Sequence, residues 1–366
     1  MHKIGIDIYS ALHNPRGMGV YTINFLKELA KIDHENEYIL YGDTDDVDNI
    51  VPTQPNFTYK KLNSKGLFHY EQFILPIECK KDKINILHSP ANTSPIFLDK
   101  NIKRFITEHD IIFLKKEIPL PNNKKQILGR VYYAICAILN LPRANVIFTV
   151  SEFSKNDIKK TFHINQNKII ITPNGHEHFN VEKYTDFNIV KNKYNLPDNY
   201  YFTLGGEAPS KNSEILLKIF CENPNINLIF VGIKNLNHSF LYNQYKNFKN
   251  IKFLPYIEQN DLLSLYMNAK AFLFPSTYEG FGIPLLEAMK CKCPILCSNT
   301  TCLPEVAGSA ALYFNPNDKK SILEKINYLE NNNLIHKELI RKGKENLNKF
   351  SWQKTANIIN EFYIKG

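Results

Sequence analysis

Two glutamates that stand eight positions apart, Glu279 and Glu287, are the residues of this sequence best placed to act on a ligand. Between them lie Gly280 and Gly282, which let the backbone approach a ligand where a Cβ would collide. Pro284 has the fixed φ that suits the first turn of a helix. Unpaired N–H groups at a helix start attract phosphate, whereas carboxylate oxygens suit the paired hydroxyls of a sugar. The stretch therefore predicts a site that holds a nucleotide sugar.

The elements around this stretch are a strand, a glycine loop and a helix. Residues 271–274 are a short apolar run that predicts a buried strand, and Pro275 ends it. The same design occurs earlier, where the strand predicted at 200–204 is followed by two glycines and then by Lys211. A lysine at such a helix start is a flexible point charge suited to a diphosphate. An ordinary strand–helix turn with incidental glutamates is the alternative interpretation.

The first half of the chain alternates strands and helices in the same way, which predicts a doubly wound α/β domain. Ligands of such domains collect at the carboxyl ends of the strands, and polar clusters stand at two of these ends, residues 88–93 and 108–110. His109 could hold a sugar hydroxyl or stabilise positive charge at a reacting carbon, with Asp110 beside it. A surface histidine that caps a turn is the alternative. The predicted strands of both halves are residues 3–9, 37–41, 57–61, 84–88, 104–107, 146–150, 169–172, 200–204, 227–231, 251–254, 271–274 and 294–297.

Composition limits the class of protein. A chain of 366 residues is long enough for two domains with separate cores. Its content of 43% hydrophobic and 22% charged residues is typical of a soluble globular protein. No run approaches the roughly 20 apolar residues that span a bilayer. The first residues lead directly into a strand and lack the regions of a signal peptide, so we expect a cytoplasmic protein.

The formal net charge of +9 favours anionic partners such as a nucleotide, a phosphate-bearing lipid or an anionic membrane face. We expect no nucleic-acid partner, because the lysines are scattered and no basic run is interleaved with aromatic residues. The segment 115–143 combines basic residues with an apolar helix predicted at 127–141. It suits either a peripheral contact with phospholipid headgroups or a helix of the core, and the sequence leaves both open.

Four of the seven cysteines cluster, at Cys291, Cys293, Cys297 and Cys302. Their spacing differs from the paired C-x-x-C pattern of zinc sites. Residues 293–297 also predict a buried strand, in which thiols act as small hydrophobes. We therefore expect no metal and no cofactor apart from a nucleotide sugar as co-substrate.

The stretch E-G-F-G-I-P-L-L-E resembles the signature of the retaining glycosyltransferase family 4, and L-P-E-V-A-G at 303–308 is similar to that family as well. The resemblance implies a GT-B fold, in which two Rossmann-like, doubly wound α/β domains face a central cleft. It implies an acceptor-side domain at residues 1–178, to which a last helix at 351–366 returns. A nucleotide-sugar domain would occupy residues 179–350. The element P-N-G at 173–175 matches the place where family members cross between domains.

The resemblance also implies roles for individual residues. Glu287 would bind the ribose hydroxyls, Glu279 would hold the donor sugar or face the diphosphate, and Lys211 would stabilise the departing diphosphate. The catalytic set is then His109, Glu279 and Lys211. The donor-binding set is Gly17, Gly19, Gly206, Lys211, Tyr256, Glu279, Gly280, Phe281, Gly282, Ile283 and Glu287. The acceptor side would contain His88, Asn92 and Asp110.

The chain departs from the family at one point of this site. Many members carry an arginine just before the lysine or just after the first loop glycine, where this chain has Ser210 and Gly206. Neutralisation of the departing diphosphate would then rest on Lys211 and on backbone amides.

The resemblance implies a retaining, metal-independent hexosyl transfer from a nucleoside-diphosphate sugar. The spellings H-S-P-A-N-T and P-N-G-H-E-H look most like enzymes of bacterial polysaccharides, O-antigen mannosyltransferases among them. They suggest GDP-mannose as the donor, and a saccharide or lipid-linked saccharide as the acceptor in lipopolysaccharide synthesis. UDP-hexosamine and dTDP-rhamnose donors remain open. Two other functions are alternatives: an epimerase or hydrolase of nucleotide sugars, or a non-catalytic partner that binds a nucleotide sugar to regulate an assembly.

Overall fold

A computed structural model gives the fold of the chain and describes residues 1–14, 16–48, 50–119 and 124–366. The chain forms two compact units. Unit 1 contains residues 1–116, the described part of 122–175, and 350–366. Unit 2 contains residues 176–349, and residues 117–119 group with it. The units divide between Gly175 and His176, three residues before the predicted boundary.

Unit 1 is built on a sheet of parallel strands. In chain order its described strands are β1 (Lys3–Asp7), β2 (Glu37–Gly42), β3 (Phe57–Lys61), β4 (Ile86–Ser89), β5 (Lys103–Thr107), β6 (Val146–Thr149) and β7 (Ile169–Ile171). Their order across the sheet is β3-β2-β1-β4-β5-β6-β7. The chain therefore winds outward from β1 in one direction, returns to the other side of β1 as β4, and winds outward again. The carboxyl ends of β1 and β4 mark the point where the order reverses.

Helices cover both faces of this sheet, as the buried side chains of its strands require. The described helices of unit 1 are α1 (Tyr9–His13), α2 (Met18–Ile32), α3 (Leu67–His69), α4 (Leu75–Lys81), α5 (Lys124–Asn140), α6 (Glu152–Phe162) and α15 (Trp352–Lys365). Successive strand residues point to opposite faces. On β2, Tyr38 contacts Tyr363 of α15, and its neighbour Ile39 packs in a cluster with Leu75 of α4. The helix α15 therefore lies on the face opposite to α4.

The last helix packs on unit 1, as the resemblance implied. Its N-terminus is capped by Ser351, whose Oγ accepts the N–H of Lys354 at 3.1 Å. Trp352 is 1% exposed and lies edge-on to the ring of Tyr21, with 5.9 Å between the ring centroids. Full burial of a large apolar side chain stabilises a fold by roughly 1.5–3 kcal/mol. Trp352 is therefore an anchor of α15.

Unit 2 repeats the design with six described strands. These are β8 (Tyr201–Leu204), β9 (Leu228–Val231), β10 (Ile251–Leu254), β11 (Ala271–Phe274), β12 (Ile295–Ser298) and β13 (Ala311–Phe314), in the sheet order β10-β9-β8-β11-β12-β13. The helices are α7 (Phe187–Tyr194), α8 (Ser213–Glu222), α9 (Phe240–Tyr245), α10 (Gln259–Asn268), α11 (Ile283–Lys290), α12 (Leu303–Ala307), α13 (Lys319–Glu330) and α14 (Asn333–Leu347). Here the order reverses between β8 and β11. Both units therefore have the doubly wound topology that the resemblance implied.

The clustered cysteines lie in the interior of unit 2, where Cys293 and Cys297 are 4% and 0% exposed. Burial raises the pKa of both thiols above the ordinary value, so both stay protonated at neutral pH. They fill space as small apolar groups. In the described ranges, no helix has both the length and the hydrophobicity needed to cross a bilayer.

Candidate functional site

The loops that follow β8 and β11 open at the same place, because these strands are neighbours at the reversal of the strand order in unit 2. After β8 the chain makes a short 3-10 turn at Pro209–Lys211. After β11 it passes Glu279 and enters α11 at Ile283. The N–H of Thr277 donates to the carbonyl oxygen of Ser210 at 2.8 Å and ties the two loops together.

Lys211 and Glu279, predicted from separate parts of the sequence, meet at this crossing. The ammonium group of Lys211 lies 2.6 Å from Oε1 of Glu279. It also lies 5.5 Å from the ring centroid of Phe274, the last residue of β11. The lysine side chain is 34% exposed, and an ion pair so open to water contributes only about 0–1 kcal/mol to stability. The pair instead holds a cation in place at the loop crossing, where an anionic ligand can reach it.

Glu287 lies on the first turns of α11 and has two neighbours that its own segment does not contain. The hydroxyl of Tyr266 donates to its Oε2 at 3.1 Å, and Nε2 of His178 lies 3.9 Å from its Oε1. Burial raises the pKa of Tyr266 well above its ordinary value, so the hydroxyl remains a donor. One carboxylate oxygen is thereby fixed, and the other faces an imidazole. His178 ends the stretch P-N-G-H-E-H that the sequence analysis singled out, but no local pattern connects it or Tyr266 with Glu287.

The glycine loop before α11 has the backbone that the sequence predicted. Gly282 caps the helix with φ at +91°, a conformation that L side chains rarely adopt. Phe281 is 5% exposed, so its ring belongs to the interior and only its backbone can face a ligand. Ile283 is half-buried, and Gly280 is buried. The loop is thus a backbone surface leading to the positive end of a helix.

Two further residues of the predicted donor-binding set, Gly206 and Tyr256, lie in loops of unit 2. The N–H of Gly206 is not bare, because it donates to Oγ of Ser213 at 3.0 Å. The side of Gly206 is open, since a Cβ there would meet no atom within 4 Å. Tyr256 follows the edge strand β10, which β9 and β8 separate from β11. Its side chain is 68% exposed. Tyr256 therefore lies at the carboxyl end of the same sheet, two strands away from β8, and its donor contact stays a prediction.

In unit 1, hydrogen bonds to the backbone and to the ring hold His109 in place. Its backbone N–H donates to Oδ1 of Asn92 at 2.7 Å, and its carbonyl accepts the hydroxyl of Ser154 at 3.0 Å. The ring donates through Nε2 to the carbonyl of Pro90 at 2.9 Å and lies edge-on to Tyr21. Burial lowers the pKa of His109 to about 4, so the ring is neutral at neutral pH. Since Nε2 carries the proton, Nδ1 is left as an acceptor for a hydroxyl.

The three predicted acceptor-side residues have internal roles. Asn92 adopts φ of +64° and positions the backbone of His109. Oδ1 of Asp110 accepts the N–H of Ile112 at 3.0 Å and so starts a short turn. His88 is 0% exposed, and its ring bonds to the hydroxyls of Thr107 and Tyr363. A saccharide acceptor cannot touch a side chain buried in this way. The predicted acceptor-side role of His88 is therefore wrong, and its ring has a structural role.

The two glycines at the start of α2 differ in what they do. Gly17 caps the helix with φ of +51°, and a Cβ there would meet nothing within 4 Å. At Gly19 a Cβ would stand 2.2 Å from the carbonyl oxygen of Asn14. The N–H of Gly19 donates to the carbonyl of Arg16 at 3.0 Å. Gly19 therefore closes the turn, and its N–H is not free for the donor-binding role that the resemblance implied, whereas the side of Gly17 is open.

Two buried acids near the carboxyl end of β1 escaped the sequence reasoning. Asp7 is 8% exposed and accepts the hydroxyl of Tyr70 at 3.0 Å. Glu71 is fully buried and bonds to Tyr132 and, at 2.9 Å, to Gln72. Burial raises the pKa of Asp7 to about 6 and that of Glu71 to about 7. The position of Asp7 at the carboxyl end of an apolar strand was a usable signal, whereas Glu71 stands in a stretch without one.

Comparison with known proteins covers both units. The family described as Glycosyltransferase Family 4 matches residues 15–178, and the family described as Glycosyl transferases group 1 matches residues 185–346. The O-antigen chain mannosyltransferase B of Escherichia coli is 27% identical over 95% of this chain and 96% of its own length. The serotype-specific mannosyltransferase WbdA of Escherichia coli is 31% identical over 68% of this chain. The matched part is about a third of the length of that relative.

Solved structures share the fold along the entire chain. The sucrose-phosphate synthase of Thermosynechococcus elongatus superposes with a TM-score of 0.77 at 17% identity, and covers 100% of this chain and 99% of its own. The Anabaena protein HepE, solved in complex with UDP-glucose, superposes with a TM-score of 0.72 at 15% identity and covers 100% of both chains.

Proposed function

This chain belongs to glycosyltransferase family 4, and we propose that it moves a hexose from a nucleoside-diphosphate sugar to a saccharide or lipid-linked saccharide, with retention of configuration. The observation that carries the proposal is the meeting of Lys211 and Glu279 beside the N-terminus of α11, at the reversal of the strand order. A cation, a helix start and a glycine backbone at one point suit a diphosphate leaving group.

Each unit contributes a different part of the chemistry in this proposal. In unit 2, Lys211 and the amides before α11 stabilise the departing diphosphate, Glu279 holds Lys211 or the donor sugar, and Glu287 accepts from the ribose hydroxyls. In unit 1, the neutral ring of His109 accepts a sugar hydroxyl, and Gly17 opens a path for phosphate at the start of α2. Glycosyl transfer passes through an oxocarbenium-like state, so positioning and charge stabilisation supply most of the acceleration.

Glu287 has the geometry for ribose recognition. Tyr266 fixes one of its carboxylate oxygens at 3.1 Å, which leaves the second oxygen to accept from a hydroxyl. A carboxylate locked in this way loses little side-chain entropy when a ligand binds. Replacement of Glu287 should therefore weaken binding of every nucleotide that carries ribose.

We propose GDP-mannose as the donor, because the two sequence relatives named above are mannosyltransferases, one of the O-antigen chain and one serotype-specific. HepE binds UDP-glucose, so a uridine nucleotide is the first competitor to test. The proposal needs no metal ion, since Lys211 and backbone amides face the diphosphate. It places the protein in the cytoplasm, in peripheral contact with an anionic membrane that carries lipid-linked acceptors.

A thermal-shift screen of GDP, UDP, dTDP and their sugars tests the proposal on the wild type and on Glu287→Ala. A ligand at a hundredfold excess over Kd stabilises a protein by about 2.7 kcal/mol. We expect one nucleotide series to raise the Tm of the wild type and Glu287→Ala to lose the response. Glu324→Ala, at an exposed glutamate of α13, is the matched control and should keep it. If no nucleotide shifts the wild type, the donor site is wrongly assigned.

Turnover with and without acceptor then separates the remaining functions. A transferase consumes the donor quickly only when a saccharide acceptor is present. An epimerase or hydrolase would consume it equally well without one, and a regulatory protein would bind the donor and leave it intact.

A further inference from the structure

A cavity of about 870 Å³ opens on unit 1, at the edge of the sheet where the strands begin. Arg104, the second residue of β5, and Asn145, which directly precedes β6, lie in its wall. The parallel strands end at the opposite edge, where His109 follows β5. The cavity is thus separate from the residues to which we assign glycosyl transfer.

Arg104 is a buried cation without a carboxylate. Its side chain is 7% exposed, and its Nη2 donates to the carbonyl oxygens of Pro95 and Ile96 at 2.9 and 3.3 Å. Its Nε has no hydrogen-bond partner, and among the described residues it forms no ion pair. A buried charge that neutral groups alone solvate is costly, so a protein normally supplies a counter-charge. Among the described residues no carboxylate neutralises Arg104, so an anion from outside the chain would supply the missing counter-charge.

The other charges of the cavity are of the same sign as Arg104. Arg143 lines the same wall. Burial, and to a lesser degree the proximity of Arg143, lowers the pKa of Arg104 to about 10, which leaves Arg104 charged at neutral pH. Lys80 and Lys100 add to the positive charge. The one acid in the lining, Asp99, pairs with Lys80 at 3.3 Å. The cavity therefore favours an anion strongly.

The rim of the cavity is apolar and exposed. Phe97 is 81% exposed, Phe73 52% and Ile77 53%, and all three lie in the lining. Large apolar side chains left in water beside a basic cavity are unusual for the surface of a monomer. A free phosphate ion would make no use of them.

The apolar surface continues onto α5. Leu128, Val131, Ile135 and Ile138 are 68%, 49%, 44% and 53% exposed, at helical spacing along one stripe. The ring of Phe68, 5.7 Å from that of Phe73, also lies 5.8 Å from Tyr132 of α5, so the two surfaces adjoin. The sequence left α5 open between a core helix and a membrane contact, and only Cys136, Ala137 and Asn140 of it are buried.

We propose that the cavity binds the phosphate headgroup of an anionic phospholipid, with Arg104 and Arg143 as its cations, while the apolar rim and the stripe of α5 enter the interfacial layer of the membrane. Interfacial proteins combine these two contributions, apolar area and attraction to anionic lipid. The cavity and the stripe of α5 locate the membrane contact that the proposed function includes, and the inference rests on the proposed function only for that contact.

Sedimentation of the full chain with lipid vesicles tests the site. The vesicles are phosphatidylcholine alone, or phosphatidylcholine with an equal amount of phosphatidylglycerol. We expect binding to the anionic vesicles only. Attraction to an anionic surface is worth roughly 1 kcal/mol per basic residue, so Arg143→Glu should weaken the partition about tenfold or more. Phe97→Ser should weaken it as well, without changing the charge.

Lys27→Glu is the matched control, because Lys27 is exposed on α2 and carries the same change of charge. The helix α2 packs with α15, on the face of the sheet opposite to α4. If the loss of positive charge alone decided binding, Lys27→Glu would weaken binding to the anionic vesicles as much as Arg143→Glu does. That result would overturn the site. Binding of the wild type to both kinds of vesicle alike would overturn it too.

Two further arms make the result decisive. If glycerol 3-phosphate in solution raises the Tm of the wild type while vesicles fail to bind, the ligand is a soluble phosphate compound and the lipid proposal fails. Arg104→Gln should lose vesicle binding, and a melting curve shows whether it folds; Arg143→Glu and Phe97→Ser, at exposed positions, decide if it does not. The nucleotide response of all these variants should equal that of the wild type, so a failed donor site and a failed lipid site are distinguishable.

Discussion

The two units have the same topology but treat ionisable groups in opposite ways where their strand order reverses. In unit 2 the reversal between β8 and β11 carries the ion pair of Lys211 and Glu279, which is partly open to water. In unit 1 the reversal between β1 and β4 carries Asp7, and the neighbouring β5 leads to His109. These two groups are buried, and their pKa values are shifted toward the neutral form.

The difference follows from the surroundings of the ionisable groups at each edge. An ion pair that water reaches is cheap to separate, so Lys211 can exchange a carboxylate for a phosphate. The neutral imidazole of His109 does not attract phosphate, but it can accept a hydrogen bond from a hydroxyl in a directed way. One topology thus provides a charged edge suited to a diphosphate and, around His109, a neutral edge suited to sugars.

The charged edge can be broken most directly at its cation. We expect Lys211→Ala to lower kcat about 10²- to 10³-fold, the range seen when one group that stabilises developing negative charge is removed. Turnover of the nucleotide sugar with acceptor present measures it. Lys218→Ala, on the exposed face of α8, is the control and should be within twofold of the wild type. An unchanged kcat in Lys211→Ala would show that the diphosphate is neutralised elsewhere.

Much of this arrangement could be predicted from the sequence, because it depends on local pattern. The predicted strands agree with those observed to within about two residues, since continuous apolar runs identify buried parallel strands. Residues 311–314 were missed although the run A-L-Y-F is apolar: it is only four residues long and forms the edge strand β13, in which Leu312 and Tyr313 are half-buried. The loops with Lys211 and Glu279 were recognised because glycine and proline punctuate them.

What the sequence did not reveal depends on partners that lie far apart in the chain. His88 bonds to Tyr363, 275 positions away, and Glu287 bonds to Tyr266 on another helix. No local pattern tells whether a polar side chain at a strand end faces a ligand or such a partner. The burial of Glu71 was likewise invisible, because its segment forms a π-helical turn, Tyr70–Ile74, without regular periodicity.

The neutral edge is tested by the pH dependence of His109→Ala. Loss of one directed hydrogen bond to a sugar should lower kcat/KM by about 10- to 100-fold. Because the folded pKa lies near 4, the imidazole is already neutral in the wild type at weakly acidic pH. The ratio of wild-type to variant activity should therefore stay constant from about pH 5.5 to pH 8. A ratio that changes around pH 6.5 would show that His109 titrates as an exposed histidine and acts as a proton carrier.

The smallest effect is expected at Glu71, one of the two buried acids of unit 1. The sign of its contribution to the pH dependence of stability distinguishes the two edges. Burial raises the pKa of Glu71 from 4.5 in the unfolded chain to about 7 in the folded one, so the folded state retains the proton. The stabilising contribution is complete below the unfolded pKa and is lost as the pH rises through about 7. Glutamine keeps a neutral side chain at every pH. We therefore expect Glu71→Gln to gain roughly 1–3 kcal/mol in free energy of unfolding, relative to the wild type, between about pH 5 and pH 8.

Urea unfolding at both pH values measures this difference, and Glu35→Gln, at an exposed position, should show none. Equal pH profiles for Glu71→Gln and the wild type would mean that Glu71 is ionised in the folded protein, and the contrast between a charged edge and a neutral edge would then be lost at this residue.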